Sequence, residues 1–299
     1  MTLTVSRFLP RAARRLAFGL SFAMGFMASG PVYSSDRLPD NAERIVAIGG
    51  SLTEIVFALG EQDRLVARDS TASYPEEALA LPDVGYMRAL SPEGVLSVKP
   101  DGILAIEGSG PPEAVSVLAS AGVPFVTVPE GYSGEAIRQK IKSVGAALGV
   151  SEKAEALSMK VGADLDKAVA EAHERDRKVR VLFVLSYAGG RVLASGSGTA
   201  ADAIIQMAGA QNAIDGVHGY KQLNEEAITA ANPDVILMME RHGDENSASD
   251  ILANNAIAQT PAGEEKRLIR MNGLYLLGFG PRTASAVRDL SGELAAFGL

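Results

Sequence analysis

The chain of 299 residues lacks several side chains on which catalytic and metal-binding proteins depend. It contains no cysteine and no tryptophan, and its three histidines are scattered at His173, His218 and His242. Without cysteine, disulfides and thiolate chemistry are excluded, so the apolar core alone must hold the fold. The histidines show no spacing typical of a metal cage. The sequence also has no Gly-x-Ser-x-Gly elbow, no phosphate loop ending in Gly-Lys-Ser/Thr and no His-Glu-x-x-His motif.

Length and charge restrict the class of protein further. The chain is 47% hydrophobic and long enough for two medium domains, each with its own core. Its formal net charge is −8, which becomes −12 when residues 1–34, with four arginines and no acid, are removed. Nucleic-acid binding needs clustered lysine and arginine, so no nucleic-acid partner is expected. The body of the chain has no run of ~18 apolar residues that would predict a transmembrane helix.

The first 34 residues have the composition of an export signal. A basic opening with Arg14 and Arg15 is followed by an apolar stretch over 16–28 and then by small and polar residues up to Ser35. This order is typical of a secretory signal peptide, with cleavage between Ala28 and Ser35. An uncleaved membrane anchor is the alternative, although the apolar stretch is short for one.

A fifteen-residue pattern occurs twice, over 90–104 and over 223–237. Each copy predicts a helix cap, a short helix, a Pro-Asp turn that ends the helix, and a buried strand. Ser91 and Asn224 are the two expected cap residues. The repeat also places Glu93 and Glu226 at the same position in the first helical turn. Two such units predict two similar lobes with a ligand site between them.

Strands and helices alternate in both halves of the chain, which favours parallel sheets. A capping box from Ser51 to Glu54 is expected to open a helix that ends at Gly60. Helical spacing of apolar residues over 151–173 predicts a helix ~35 Å long that can connect two lobes, an ordinary surface helix being the alternative. Buried strands are expected over 44–48, 65–67, 102–106, 123–128, 179–185 and 235–239.

The predicted fold class is therefore α/β, with two lobes that each contain a mainly parallel sheet flanked by helices. One long α-helix joins the lobes, and the ligand cleft lies between them. After a signal peptide over 1–34, the first lobe is expected over 35–150, the connecting helix over 151–174 and the second lobe over 175–299.

The segment Gly196–Ala201 matches the relaxed dinucleotide-binding fingerprint. It follows a predicted strand, opens a predicted helix and has Asp215 nineteen residues beyond Gly196. An exported protein is not expected to use a soluble nicotinamide cofactor, so a glycine turn followed by the capping residue Thr199 is the favoured interpretation. An exported nucleotide-using oxidoreductase stays an alternative function.

The stretch from Val84 to Leu96 resembles the substrate-binding proteins of bacterial haem ABC importers, most specifically in Gly85-Tyr86-Met87-Arg88-Ala89-Leu90-Ser91. The likeness continues in Arg68-Asp69, Ser73-Tyr74-Pro75, Thr199–Ala203 and Leu277–Thr283. The resemblance implies a periplasmic, monomeric protein that catalyses no reaction, binds haem as its transported ligand and delivers it to the permease dimer of an inner-membrane ABC importer. A ferric siderophore or a corrinoid is the alternative cargo, and a purely adhesive role is a further alternative.

The resemblance also implies the site residues. Tyr86 would ligate the ferric haem iron through its phenolate, because a bound trivalent metal overcomes the ordinary phenol pKa of ~10. Arg88 would support that anionic oxygen. Some relatives have a histidine where this chain has Tyr187, which could ligate iron, stack on the macrocycle or do neither. Three arginines could pair with the haem propionates or could be solvated charges: Arg68, Arg191 and Arg241.

Glu93 and Glu226 match the positions at which the wider class of two-lobed binding proteins docks onto a permease. The resemblance therefore implies that each lobe contributes one docking carboxylate. The alternative is a purely local role, since an acidic side chain in a first turn stabilises the helix dipole.

Overall fold

The first half of the chain is built around a four-stranded parallel sheet. The computed structural model describes residues 37–174, 178–240 and 247–299, so the predicted signal peptide over 1–34 lies outside the described residues. The strand order is β2-β1-β3-β4, and every neighbouring pair is parallel. The strands are β1 (Ile45–Ile48), β2 (Leu65–Arg68), β3 (Gly102–Ile106) and β4 (Phe125–Val128). All four predicted strands of this half are confirmed to within two residues.

The second half contains a mixed sheet in the order β10-β9-β5-β6-β8, with β7 beside β5. Its parallel part comprises β7, β5, β9 and β10, whereas β6 runs antiparallel to both β5 and β8. A turn with positive φ at Gly189 and Gly190 closes the β5–β6 hairpin. The strands are β5 (Arg180–Ala188), β6 (Arg191–Ser195), β7 (Gln211–Asn212), β8 (Tyr220–Leu223), β9 (Val235–Glu240) and β10 (Leu268–Asn272).

Helices cover both faces of each sheet, as the α/β prediction requires. Within the described residues they are α1 (Gly50–Ala58), α2 (Pro92–Ser97), α3 (Pro112–Ser120), α4 (Gly134–Leu148), α5 (Ser151–Ala172), α6 (Ala200–Met207), α7 (Glu225–Ala231), α8 (Ser247–Leu252), α9 (Asn255–Ala258), α10 (Pro261–Glu264), α11 (Gly273–Leu277) and α12 (Thr283–Ala296). No helix in this part of the chain combines the length and apolarity that a membrane crossing needs.

Strand alternation divides the core into three parts. Ile45 and Ala47 of β1 face one side with α1, α4 and α5, while Val46 and Ile48 face the other side with α2 and α3. In the second sheet, one face packs on α6 and α12 and the other on α7, α9 and α10. The faces toward α4, α5 and α12 form one apolar cluster that runs through both lobes.

The predicted connecting helix is confirmed as α5, which links the two sheets. Its buried residues recur at helical spacing from Ala154 to Ala172, and it packs against α4 and α12. Arg288 of α12 pairs with Asp164 and Glu171 on α5. The α/β fold with two lobes and a linking helix is therefore confirmed, while the residue boundaries of the lobes stay a prediction.

The capping box predicted at Ser51 does not form. Helix α1 begins after Gly49, which has φ 118°, and no side chain caps it. Glu54 is buried, and its carboxylate accepts two hydrogen bonds from Arg282. The Arg282 backbone N–H donates at 3.2 Å and its Nη2 donates at 3.0 Å. A buried carboxylate needs a charged partner more than a helix end needs a cap, and the second lobe supplies that partner.

Lys140 of α4 joins the lobes from a fully buried position. Its side chain is 0% exposed, and Nζ donates to the Glu130 carboxylate at 2.6 Å. The same ammonium group donates to the carbonyls of Gly278 at 3.4 Å and Phe279 at 3.1 Å, which belong to the second half. Burial lowers the pKa of Lys140, and the charge of Glu130 acts against that shift. These contacts hold the chain after α11 against the first lobe.

Two further contacts join the lobes beside Lys140. The Arg282 guanidinium lies 3.5 Å from the centroid of the Tyr74 ring, a cation–π contact between the lobes. Phe279 is buried with φ 48°, a left-handed conformation that is costly for a bulky residue, and its ring packs edge-on to Tyr132 at 5.2 Å. The lobes therefore meet through directional contacts.

We expect Lys140→Met to lower the free energy of unfolding by about 3 kcal/mol, because it leaves Glu130 and two carbonyl groups without their cation. Urea denaturation followed by circular dichroism measures this change. Lys142→Met is the matched control, since Lys142 is 42% exposed in its pair with Glu155 and should cost less than about 1 kcal/mol. Equal losses in the two variants would contradict a special role for Lys140.

Candidate functional site

The two copies of the sequence repeat fold into the same capped helix. Ser91 Oγ accepts from the Gly94 N–H at 3.3 Å and donates to the Glu93 carboxylate at 2.8 Å. Asn224 Oδ1 accepts from the Ala227 N–H at 2.9 Å, and its Nδ2 donates to Glu226 at 3.0 Å. The predicted caps are confirmed, and each cap also holds the exposed glutamate two residues further on.

Each repeat helix is followed by a left-handed residue directly before Pro-Asp, Lys99 with φ 52° or Asn232 with φ 40°. The aspartate of each turn then accepts a backbone N–H from the start of the neighbouring strand. Asp101 accepts from Arg44 at 2.8 Å, and Asp234 accepts from Arg180 at 2.9 Å. The repeat therefore fixes the helix carrying each glutamate relative to the first strand of its own sheet.

The predicted iron ligand lies at an exposed loop tip beyond β2. Tyr86 is 43% exposed, and the Arg88 guanidinium donates to its phenol oxygen at 3.0 Å. Met87 between them is half-buried against the core of the first lobe. Inward and outward side chains alternate, so Tyr86 and Arg88 share the outward side. The structure therefore brings together the two residues that the sequence placed in one site.

The backbone around Tyr86 is fixed by hydrogen bonds. Gly85 has φ 102°, which favours glycine, and its N–H donates to the Asp83 carboxylate at 2.8 Å. The Gly85 carbonyl accepts from Ser70 at 2.9 Å, and the Met87 carbonyl accepts from Gly110 at 2.8 Å. The phenol therefore projects from a loop held on both sides.

The charge of Arg88 interacts with three tyrosines. Burial acts to lower its pKa, but the hydrogen bond to Tyr86 and the nearby phenols of Tyr132 and Tyr220 outweigh this and raise it. Burial raises the pKa of Tyr132 and of Tyr220, and the positive charge of Arg88 acts against both shifts. Tyr220 is 41% exposed, and its hydroxyl interacts with Thr199 at the start of α6. These interactions link Arg88 electrostatically to a tyrosine in each half of the chain.

Sequence reasoning missed Tyr132 and Tyr220. Tyr132 follows β4, at the carboxyl edge of a parallel sheet where α/β proteins bind ligands, and this position could have identified it. Tyr220 begins β8, opposite Ser195 of β6. It could not have been found, because the antiparallel edge of the second sheet was not predicted.

The remaining predicted haem-site residues are Arg68, Tyr187, Arg191 and Arg241. Arg68 donates to the carbonyls of Ala78 and Asp69, both at 3.0 Å, and to Asp83 at 3.3 Å, so its own lobe occupies most of its guanidinium. Tyr187 is half-buried near the end of β5, and Arg191 is exposed just beyond the hairpin turn. Arg241 lies outside the described residues.

The glycine loop at Gly196 is occupied by the protein itself. Its first two N–H groups donate to the carbonyls of Gly219 and Val217, both at 2.8 Å, and the Gly198 N–H donates to Asp202 at 3.2 Å. Thr199 caps α6 by accepting from the Asp202 N–H at 3.0 Å. A dinucleotide site needs free amides for the pyrophosphate. The favoured interpretation, a glycine turn with a capping threonine, is therefore confirmed.

We expect Gly196→Ala to lower the free energy of unfolding by about 1–3 kcal/mol, because a methyl group there would collide with the Val217 carbonyl. Thermal and urea unfolding measure the loss. The control is Gly292→Ala in α12, where the added carbon meets no atom within 4 Å and should stabilise the helix by about 0.5–1 kcal/mol. An unchanged stability of Gly196→Ala would contradict the close packing of this loop.

The comparisons with known proteins agree on one family. The sequence profile of the family described as "Periplasmic binding protein" matches residues 45–273. Among curated proteins, the chain is 28% identical over 255 residues to the uncharacterised ABC transporter substrate-binding lipoprotein YvrC of Bacillus subtilis, covering 83% of this chain and 79% of that protein. It is 23% identical to a vitamin B12-binding protein of Pectobacterium atrosepticum, covering 85% and 88%.

Solved structures give closer matches. The periplasmic heme-binding protein BhuT, in complex with two hemes, is 41% identical, with a TM-score of 0.80 and coverage of 85% of this chain and 98% of that one. The periplasmic heme-binding protein RhuT from Roseiflexus sp. RS-1 is 37% identical, with a TM-score of 0.82 and the same coverage. A periplasmic heme-binding protein from Pseudomonas aeruginosa is 34% identical, with a TM-score of 0.77 and coverage of 84% and 92%.

Proposed function

This chain belongs to the periplasmic binding protein family, and we propose that it binds haem and delivers it to an ABC importer. The family match confirms the prediction of a binding protein rather than an enzyme. The solved relatives at 34–41% identity are haem-binding proteins, whereas the match to a vitamin B12-binding protein over comparable coverage is only 23% identical. Haem is therefore the better-supported cargo.

One contact carries the proposal for the iron site, the hydrogen bond from Arg88 to the Tyr86 hydroxyl at 3.0 Å. When haem iron binds the phenol oxygen, the phenol loses its proton and the oxygen becomes anionic. A guanidinium that already donates to this oxygen stabilises the anion without moving. Tyrosine is a known axial ligand of haem iron and, as a hard anionic oxygen, favours the ferric state.

We propose that Tyr132 and Tyr220 contribute apolar ring surface and hydroxyl groups around the bound macrocycle. The charge of Arg88 affects the pKa of both tyrosines, one in each half of the chain, and aromatic faces suit a flat porphyrin. Arg191 and Arg241 remain the proposed partners of the propionates, and Tyr187 a proposed stacking residue or ligand. Arg68 is the least suited of the arginines, since its own lobe accepts its hydrogen bonds.

We expect Tyr86→Phe to abolish the ferric haem–phenolate spectrum and to weaken haem binding by at least about 100-fold, more than the loss of an outer-shell partner. Titration with ferric haem, followed by the Soret and charge-transfer bands, measures both effects. Tyr74→Phe is the matched control, because Tyr74 is a similarly exposed tyrosine of the same lobe that stacks on Arg282. An unchanged spectrum in Tyr86→Phe would exclude Tyr86 as the ligand, and binding of a corrinoid instead of haem would overturn the cargo.

We propose that Glu93 and Glu226 dock the protein onto the two subunits of the permease. Each carboxylate is exposed, lies in the first turn of a repeat helix and is held by its cap residue. The backbone N–H of Glu93 and the Ser91 hydroxyl lower the pKa of Glu93. Two ordered carboxylates on equivalent helices suit a partner that presents one arginine per subunit.

Replacing both docking residues, Glu93→Gln with Glu226→Gln, should leave haem binding unchanged and weaken stimulation of the importer ATPase at least about tenfold, the effect of losing a charge pair of ~2 kcal/mol. The assay uses the haem importer of the source bacterium reconstituted in lipid nanodiscs. Glu113→Gln with Glu225→Gln, two exposed first-turn glutamates outside the equivalent pair, is the charge-matched control. Equal stimulation by the two double variants would exclude specific docking by Glu93 and Glu226.

We further propose that residues 1–34 direct export and that the mature protein acts as a monomer in the periplasm. The proposal is supported by the basic and apolar layout of this segment. The family of the chain is one of periplasmic binding proteins.

A further inference from the structure

We infer that Asp69 is the positioning residue of the haem site, because its buried carboxylate fixes the backbone between Tyr86 and Arg88. In the sequence, Asp69 lies in the Arg68-Asp69 stretch that resembles haem-importer binding proteins, and the sequence predicts no role for it. The inference rests on the proposed ligation of haem iron by Tyr86.

Asp69 directly follows β2 and is 0% exposed. Its Oδ2 accepts from the Met87 N–H at 3.3 Å, and its Oδ1 accepts from the Gly49 N–H at 3.0 Å. Thr71 donates through its N–H at 3.2 Å and through its hydroxyl at 2.9 Å. One carboxylate therefore joins the loop after β1, the loop after β2 and the loop that carries the phenol.

The backbone of Met87 sets the positions of both Tyr86 and Arg88. Its N–H donates to Asp69, and its carbonyl accepts from the Gly110 N–H at 2.8 Å. Tyr86 and Arg88 are attached on either side of this residue, and the hydrogen bond between their side chains spans it. A shift of Met87 therefore moves the phenol oxygen and its supporting guanidinium together.

A carboxylate suits this junction better than an amide does. All of its partners are donors, and an ionised carboxylate offers acceptor sites on both oxygens. Burial raises the pKa of the Asp69 carboxyl, and the hydrogen bonds from Gly49, Thr71 and Met87 act against that rise. In the Asp69→Asn variant one oxygen would be replaced by an NH₂ group facing an N–H, so a buried donor would lose its acceptor.

The test compares Asp69→Asn with Asp101→Asn in the mature chain loaded with ferric haem. Asp101 is the matched control because its carboxylate also accepts two backbone N–H groups in the first lobe, from Glu43 at 3.0 Å and Arg44 at 2.8 Å. We expect Asp69→Asn to raise the rate of haem transfer to apomyoglobin by about 10- to 100-fold, the usual range for an outer-shell partner of a metal ligand. Its ferric charge-transfer band should also shift, whereas the control should keep both the rate and the spectrum of the unmodified protein.

The outcomes separate this inference from the proposed function. If Tyr86→Phe changes the spectrum and Asp69→Asn does not, Asp69 is not a positioning residue and the iron site stands. If Tyr86→Phe has no effect, the proposed iron site itself is wrong. If Asp101→Asn changes the spectrum as much as Asp69→Asn, the effect is a general loss of stability and the inference is overturned.

Should Asp69→Asn fail to fold, Thr71→Val provides a second test. Thr71 Oγ1 donates to the Asp69 carboxylate and accepts from the Gly50 N–H at 2.8 Å, so its removal loosens the carboxylate without removing it. We expect a smaller rise in the haem transfer rate and a spectral shift of the same sign as for Asp69→Asn. An unchanged rate and spectrum in a folded Thr71→Val protein would overturn the inference.

Discussion

A buried ammonium group sets the relation between the two lobes. Lys140 belongs to the first lobe, yet two of its three acceptors are backbone carbonyls of the second. Burying an unpaired lysine is costly, so the Glu130 carboxylate and the turn at Phe279 must lie where they satisfy it. This constraint places Phe279 against Tyr132. Arg282, directly before α12, then pairs with Glu54 of α1.

The proposed site uses few chemical groups, but those groups must be held in fixed positions. A phenol and a guanidinium provide the proposed iron-binding chemistry, and many exposed loops contain both. What distinguishes this loop is its fixed backbone, with glycine at a left-handed position and Met87 held on both sides. Preorganisation of this kind reduces the ordering cost on binding.

Sequence patterns predicted the parts of the fold that rest on local periodicity. Apolar runs identified the four strands of the first sheet, and helical spacing identified α5. The capping box at Ser51 was wrong because Glu54 pairs with Arg282, 228 residues away. The antiparallel edge of the second sheet was missed because its outer strand β8 is short and mostly exposed.

For the site, the motif around Tyr86 predicted the pair with Arg88, and the repeat predicted the equivalent glutamates. The roles proposed for Tyr220 and Asp69 depend on contacts between residues far apart in sequence, and no local pattern reports such contacts.

The contacts around Phe279 that join the two lobes also affect the release of cargo. Before the two halves can separate, Lys140 must lose its hydrogen bonds to the carbonyls of Gly278 and Phe279. Arg282 must also lose its contacts with Glu54 and the Tyr74 ring. These contacts must all break before the two halves can separate. If release needs the halves to separate, the permease proposed above must supply the energy that breaks these contacts.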